Sequence, residues 1–169
     1  TFPLERSVEL RDRSESHRRR RMDVGVSAMG SPEDRAAIVQ LTIDYCWALD
    51  TGDWDALREV FTPDAVTNLG EGGQDGIEEI ISRVSSALSR LDDSQHMVST
   101  HQITIDGDTA VGRCYLHAQH IRKVTGGSPL FVVAGRYEDH YVRTPSGWRI
   151  SQRRIVSMWT DGNLDVVQF

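Results

Sequence analysis

Apolar positions recur at intervals of three and four through Ile38, Leu41, Tyr45 and Leu49, with Ala37 and Ala48 beside them. That stripe predicts a helix with one face on a core. Ser31-Pro32-Glu33-Asp34 marks its start: a serine that accepts from a free amide, a proline where no amide is needed, and two acids at the positive end of the helix dipole. Gly52 ends it. Asp53 is expected to cap a second helix with the face Trp54, Leu57, Val60 and Phe61, closed by Pro63-Asp64. A short strand is expected over residues 65–69 and a glycine-rich loop, readable as a flap over a cavity mouth, over residues 70–76. A third helix is expected over residues 77–91, where Ile77, Ile80, Ile81, Val84 and Leu88 return to helical spacing. Thereafter the period falls to two. Strands are expected at 95–105, 109–124, 130–143 and 148–160, separated by Asp106-Gly107-Asp108, Gly126-Gly127-Ser128-Pro129 and Thr144-Pro145-Ser146-Gly147. Helices first and strands after give an α+β class with an antiparallel meander. Strands this long must twist and curl, and helices on the concave side leave a pocket between the layers.

Composition adds limits. The 169 residues suit one domain with a real core, over residues 31–169. Residues 1–30 are rich in Arg, Glu and Ser and read as a disordered or arm-like tail, with a turn of helix over residues 4–10; its run Arg18-Arg19-Arg20-Arg21 reads as a solvated charge run. The net charge of −6 asks for neither nucleic acid nor an anionic membrane as partner. No apolar run approaches the length of a membrane span and no leader pattern is evident, so a cytoplasmic location is the default expectation. Cys46 and Cys114 lie in apolar segments and are expected to be buried free thiols.

The polar residues that stand out are Tyr45 and Asp50, on an otherwise apolar helix end. Their separation of five places them roughly 140° apart in projection. Both would face inward only if the helix frayed or tightened near Thr51-Gly52. Taken alone, Asp50 is an ordinary helix-end residue and Tyr45 a core residue with a satisfied hydroxyl. The histidines give no metal clamp: His117 and His120 are three apart on a strand and fall on opposite faces, and His96 and His101 have the same parity problem. His140 lies opposite Tyr137, Asp139 and Tyr141 and is expected to be exposed. No phosphate loop, nucleophile elbow or zinc spacing is found.

The segments LDTGDWDALREVFTPDA, ITIDGDTAVGRCY and GRYEDHYVRTPSGWRISQRRI, in this order of helices and strands, resemble the SnoaL-like branch of the nuclear transport factor 2-like superfamily. The resemblance covers about residues 31–160. It implies a cone-shaped barrel: a curved, mainly antiparallel sheet packed on three N-terminal helices. Dehydratase and dehydrochlorinase members use an aspartate near the end of the first helix to orient a histidine base on the strand after the third helix. Asp50 and His96 fall on those positions. Tyr45 would be a second donor in the cavity. In the last strand, the family position favours Arg153 as a cationic contact, whereas alternation from Trp148, Ile150 and Gln152 would turn Arg154 to the Trp148 side. The resemblance implies no cofactor and no metal. It implies proton-abstraction chemistry, as lyase, isomerase or cyclase, on an apolar aromatic, steroid-like or polyketide-like ligand. It also implies assembly of a homo-oligomer, dimer or trimer, through the open face of the sheet, with the outward residues of the last two strands as the contact. One departure is plain: the first strand lacks the tyrosine with which many dehydratases polarise a carbonyl, leaving Asn68 or a nearby hydroxyl to substitute. The alternatives are a non-catalytic ligand-binding or assembly module, including the small subunit of a ring-hydroxylating oxygenase.

Overall fold

The structure, a computed structural model, describes residues 30–70, 72–123 and 126–168. The basic tail, Glu71 and the expected strand end at Val124 lie outside the described residues. Three helices, α1 (Pro32–Thr51), α2 (Leu57–Val60) and α3 (Ile77–Leu88), pack against six strands: β1 (Phe61–Asn68), β2 (Gly73–Asp75), β3 (Asp93–Asp106), β4 (Thr109–Ile121), β5 (Leu130–Thr144) and β6 (Gly147–Gly162). The sheet order is β2-β1-β6-β5-β4-β3, antiparallel throughout except for the parallel β1–β6 pair. The sheet is open and curved, an α+β cone.

The start of α1 follows the expectation: the Ser31 hydroxyl accepts from the Asp34 amide at 3.0 Å, and Pro32 opens the helix. Its end is a left-handed Gly52, φ 69°, which a Cβ would disfavour. The Gly52 and Asp53 amides turn back to the carbonyls of Leu49 and Ala48. The helix therefore stays regular through Asp50, and the fraying expected near Thr51 is absent. Two carboxylates pin its ends to the sheet. Asp34 accepts from the Trp148 indole at 2.9 Å and pairs with Arg143 at 2.8 Å. Asp50 reaches β3.

Other boundaries shift. The second helix is only four residues long, because Phe61 already turns extended and pairs with Ile150; β1 runs from there through Pro63. Part of the glycine-rich loop is β2, which Gln74 anchors by accepting from Thr67 at 2.8 Å. The third helix stops at Leu88.

Bulges break the alternation at positions that matter. On β3, two residues, Thr100 and His101, oppose one on β4 between the pairs Ser99–Tyr115 and Gln102–Arg113. Thr100 takes φ 57°, a rare backbone for a β-branched residue. Inward positions are even before it (Ser94, His96, Val98) and odd after it (His101, Ile103, Ile105). The parity argument that separated His96 from His101 therefore fails. His101 turns inward, and its Nε2 donates at 2.8 Å to the Thr42 hydroxyl, which itself donates to Val39. On β6, Ser151 is the extra residue between the pairs Tyr141–Ile150 and His140–Gln152. Inward parity passes from Trp148 and Ile150 to Arg153, which is buried, while Arg154 is exposed. A third irregularity places Gly135 so close to Val156 that an added Cβ would collide with its carbonyl.

Candidate active site

Asp50 occupies the last turn of α1, where a carboxylate meets the negative end of the helix dipole. Three hydrogen bonds from the start of β3 hold it. Its Oδ1 accepts from His96 Nδ1 at 2.6 Å and from the Ser94 hydroxyl at 2.9 Å; its Oδ2 accepts from the His96 amide at 2.7 Å. Burial pushes this carboxyl up, but the bonds from the His96 ring and amide, the His96 charge and Ser94 outweigh it, and the net effect holds it below the usual carboxylate range. An ionised carboxylate only accepts, so Nδ1 of His96 carries a proton, and in the neutral form of the ring Nε2 holds the lone pair. The two side chains expose 16% and 6% of their surfaces, Asp50 and His96 respectively.

His96 lines two spaces. One is a small, open-mouthed chamber of about 110 Å³ between α1, α3 and the sheet, walled by Tyr45, Tyr137, Arg83 and apolar residues such as Leu49, Leu88 and Ile155. The other is an outer groove of about 750 Å³ between α1 and the β3 edge, walled by Asp50, Ser94, Trp47 and Met97. Asp50 lines only the groove and Tyr137 only the chamber, so the imidazole spans the wall between them. A third depression, about 760 Å³, lies on the outward face of the sheet and includes neither dyad residue. Asn68 is exposed and lines that depression, not the chamber, so of the two substitutes expected for the missing tyrosine Asn68 does not reach it.

Tyr45 and Tyr137 meet edge to face, ring centroids 5.7 Å apart, and Phe61 makes the same contact with Tyr45 at 5.7 Å. Arg153 lies over both phenols, at 4.3 Å from the Tyr45 centroid and 4.2 Å from that of Tyr137. Its Nε and one Nη donate to the two oxygens of Asp139 at 2.8 Å each, and Tyr141 donates to Asp139 at 2.8 Å. Arg153 was expected at the polar end of a ligand. It sits instead beneath the phenol rings and does not line the chamber. Burial works against its charge, but the Asp139 carboxylate and its hydrogen bonds prevail and raise its pKa. Burial pushes the Tyr45 hydroxyl up to about 12 and Tyr137 well above the usual range, although Arg153 opposes both. Both phenols therefore remain protonated donors.

Two further side chains belong to the site. Ser94 fixes the carboxylate. His120, on β4, packs its ring edge against His96 with centroids 5.6 Å apart, while His117 faces outward against Trp159. The opposite faces expected for this pair are observed. What was missed is that Ser94 pairs with His120, which sets His120 diagonally across from His96 on the same face. Tyr137 was legible too, since it shares its face with Asp139 and Tyr141. Among the described residues, no group of three or more His, Cys, Asp and Glu could hold a metal ion.

The His120 environment predicts a pH effect on stability. Burial, then the His96 charge, pushes its pKa from 6.5 down to about 4, against smaller opposing effects from Phe131 and Asp50. Between those values the unfolded chain binds a proton that the folded chain refuses. Stability is therefore full above pH 6.5 and is lost as pH falls toward 4, by at most about 3 kcal/mol. His101, also lowered by burial, adds to the same window, whereas the Asp50 contribution is lost only below 3.8. Urea unfolding across this range should show a flatter profile for His120→Gln than for the wild type; parallel profiles would exclude the assignment.

A SnoaL-like domain model matches residues 31–154, three quarters of the chain. An uncharacterized protein of Mycobacterium tuberculosis, Rv2910c, is 34% identical over 135 residues, covering 78% of this chain and 90% of its own. The chain belongs to the SnoaL-like family. This SnoaL-like domain also superposes on a Novosphingobium aromaticivorans structure provisionally described as an aromatic ring hydroxylase, with TM-score 0.74, 32% identity and coverage of 82% of this chain and 99% of that one. A hexachlorocyclohexane dehydrochlorinase (LinA) type 2 shares the fold, with TM-score 0.68, 19% identity and coverage of 75% and 86%. The fold of the SnoaL-like domain is thus that of the nuclear transport factor 2-like superfamily. No helix among its described residues is long and apolar enough to cross a membrane.

Proposed function

We propose that this chain is an enzyme in which His96 abstracts a proton from a small oxygenated ring compound, with Asp50 orienting the base. The observation that carries the reading is the 2.6 Å contact between Asp50 and His96 Nδ1, with His96 also lining the small chamber beside Tyr45 and Tyr137. In the proposed step, Nε2 takes a proton from a carbon next to a carbonyl. The C–H electrons form a new double bond as the carbonyl becomes an enolate. The enolate either expels a leaving group from the neighbouring carbon, which is elimination, or accepts the proton elsewhere, which is isomerisation. Asp50 stabilises the imidazolium that forms. Tyr45 and Tyr137 donate to the developing oxyanion. Arg153 is a positioning residue that acts through the two phenols. A dehydrochlorinase on the same fold supports elimination as the reaction class. Self-association is assigned to the outward sheet face, where Met97, Tyr115 and Trp159 stand exposed.

The test is turnover of a panel of cyclic β-hydroxy and β-chloro ketones, and of β,γ-unsaturated ketones, by the wild type and by His96→Ala. Loss of about 10²–10⁴-fold in kcat is expected, with ligand binding retained. A variant that turns over as fast as the wild type would sink the proposal.

The relative described as a ring hydroxylase motivates a second reading, as the small subunit of a ring-hydroxylating oxygenase. Oxygen activation would then come from a large partner. Co-purification with an iron-containing chain favours that reading, and a self-assembled active enzyme excludes it.

A further inference from the structure

We infer that two copies of this chain stack their outward sheet faces about a two-fold axis that runs across the strands, with Asp161 of each copy over Arg154 of the partner subunit. The stacking rests on the proposed self-association through this face, fixes how the copies meet, and is independent of the catalytic reading.

Strand pairing sorts the outward face into rows that cross β3, β4, β5 and β6. Met97, His117, Ala134 and Trp159 form one row. Ser99, Tyr115, Arg136 and Val156 form the next, one step closer to the Gly107 hairpin. These two rows hold the exposed apolar side chains Met97, Tyr115 and Trp159. A further step toward the hairpin brings Gln102, Arg113, Glu138 and Arg154. On the other side of the apolar rows lie Gln95, Gln119, Val132 and Asp161, and past them Asp93, paired with Ile121.

The two ends differ in sign. Glu138 accepts from Arg136 at 2.8 Å and from Arg154 at 2.6 Å. Arg113 donates to the neutral Gln102 at 2.7 Å. Arg113, Arg136 and Arg154 thus stand with a single carboxylate, both of whose oxygens are already bonded. The hairpin end of the face is positive, although the whole chain carries −6. At the far end the charged members of the rows are Asp161 and Asp93, and that end is negative. The depression of about 760 Å³ lies at the positive end, bordered by Arg113, Arg154 and His140, and gives the negative end of a second copy room to enter.

Two like sheets packed face to face can be related by a two-fold axis along the strands or across them. An axis along the strands lays each row on itself. It doubles the excess of guanidiniums at one end and of carboxylates at the other. An axis across the strands reverses the order of the rows. Placed between the Trp159 and Val156 rows, it lays the apolar rows on one another and each negative end on a positive one. Asp161 then falls over Arg154 of the partner subunit, and Gln119 over Arg113 of the partner subunit. The angle of roughly 30° between stacked sheets shifts these positions without exchanging the ends. Opposite charges attract and set the register, and like charges exclude the alternative. The rows span roughly 600 Å² in plan, at about 4.8 Å between strands and about 3.3 Å per residue, so two copies bury about 1,200 Å², the lower edge of stable interfaces.

The test is sedimentation of the full chain at about 50 and about 500 mM salt, as wild type, Asp161→Lys, Arg154→Glu and the double variant. The wild type should be a dimer whose dissociation constant rises with salt. Each single reversal should raise that constant by about tenfold, and the double should bring it back to within about threefold of the wild type. An axis along the strands has the opposite signature: salt and each reversal tighten the dimer. That outcome would overturn the proposal, and so would single reversals without effect or a double variant that is not rescued. A trimer excludes a two-fold axis, and a monomer removes the self-association with it. Both side chains are exposed, so the core is untouched by either change. Should Arg154→Glu misfold beside Glu138, Asp161→Lys and the salt series decide alone. None of these measurements involves turnover, so the catalytic reading stands or falls separately.

Discussion

Asparagine at position 50 is expected to lower kcat by about 10³–10⁴-fold while leaving the fold intact, a larger loss than its near-identical shape suggests. The reason lies in the two groups that face Asp50 from one side. The His96 amide must donate to one of its oxygens, and the His96 ring nitrogen donates to the other. An asparagine has one oxygen. If that oxygen takes the backbone N–H, the amide NH₂ faces Nδ1, which must then become the acceptor. The proton moves to Nε2, and the nitrogen proposed as the base no longer has a lone pair to use. The reverse orientation sets two donors against each other. Asp50→Ala leaves the ring free to choose its tautomer and is therefore expected to retain more activity than Asp50→Asn. Steady-state kinetics of both variants, with the histidine tautomer read from ¹⁵N shifts, decide the matter. If asparagine retains more activity than alanine, or keeps the Nδ1–H tautomer, the orienting role is wrong.

Arg153→Met is expected to destabilise the fold by roughly 3–5 kcal/mol, a fall in Tm on the order of 10 °C. The Arg153 and Asp139 side chains are both 0% exposed, so removing one leaves the other charge buried without its counterion. The loss belongs to the broken pair and not to the pair's net worth. The double variant Arg153→Met with Asp139→Leu is accordingly expected to regain much of the stability, with Tyr141 losing its acceptor as the residual cost. Thermal and urea unfolding of the two single variants and the double variant give the coupling directly. A single Arg153→Met within about 1 kcal/mol of the wild type would show that the charge at Asp139 is relieved in some other way.

Much of this architecture is written in local pattern. The stripe through Ile38, Leu41, Tyr45 and Leu49, the serine cap and the left-handed Gly52 give α1 to within a residue, and the change of period gives the sheet. The Asp50–His96 pair was reached through family resemblance. The helical wheel suggested a distortion that proved unnecessary, because β3 runs along the flank of α1 and receives Asp50 there, while Tyr45 faces the core. What pattern could not supply was strand register. A period of two assumes an unbroken ladder, so the single extra residues at Thr100–His101 and at Ser151 sent His101 to the wrong face and left Arg153 and Arg154 undecided. The chamber also depends on register, since His96, Tyr137 and Ile155 come from three strands and meet only once their pairing is known.

The bulge at Thr100 has a consequence for how this chain can vary. It divides β3 into two half-strands of opposite phase: one carries His96 to Asp50, and the other carries Ile103 and Ile105 to the core. The two ends of the strand are fixed independently, by the helix at one and by the Gly107 hairpin at the other. Loss of Thr100 would close the bulge into a regular ladder and keep both halves on their present faces, whereas a one-residue change elsewhere in the strand would turn one half inside out. A relative that keeps both the aspartate clamp and the hairpin with one residue fewer in this strand should therefore have lost it at this bulge, and with it the positive φ.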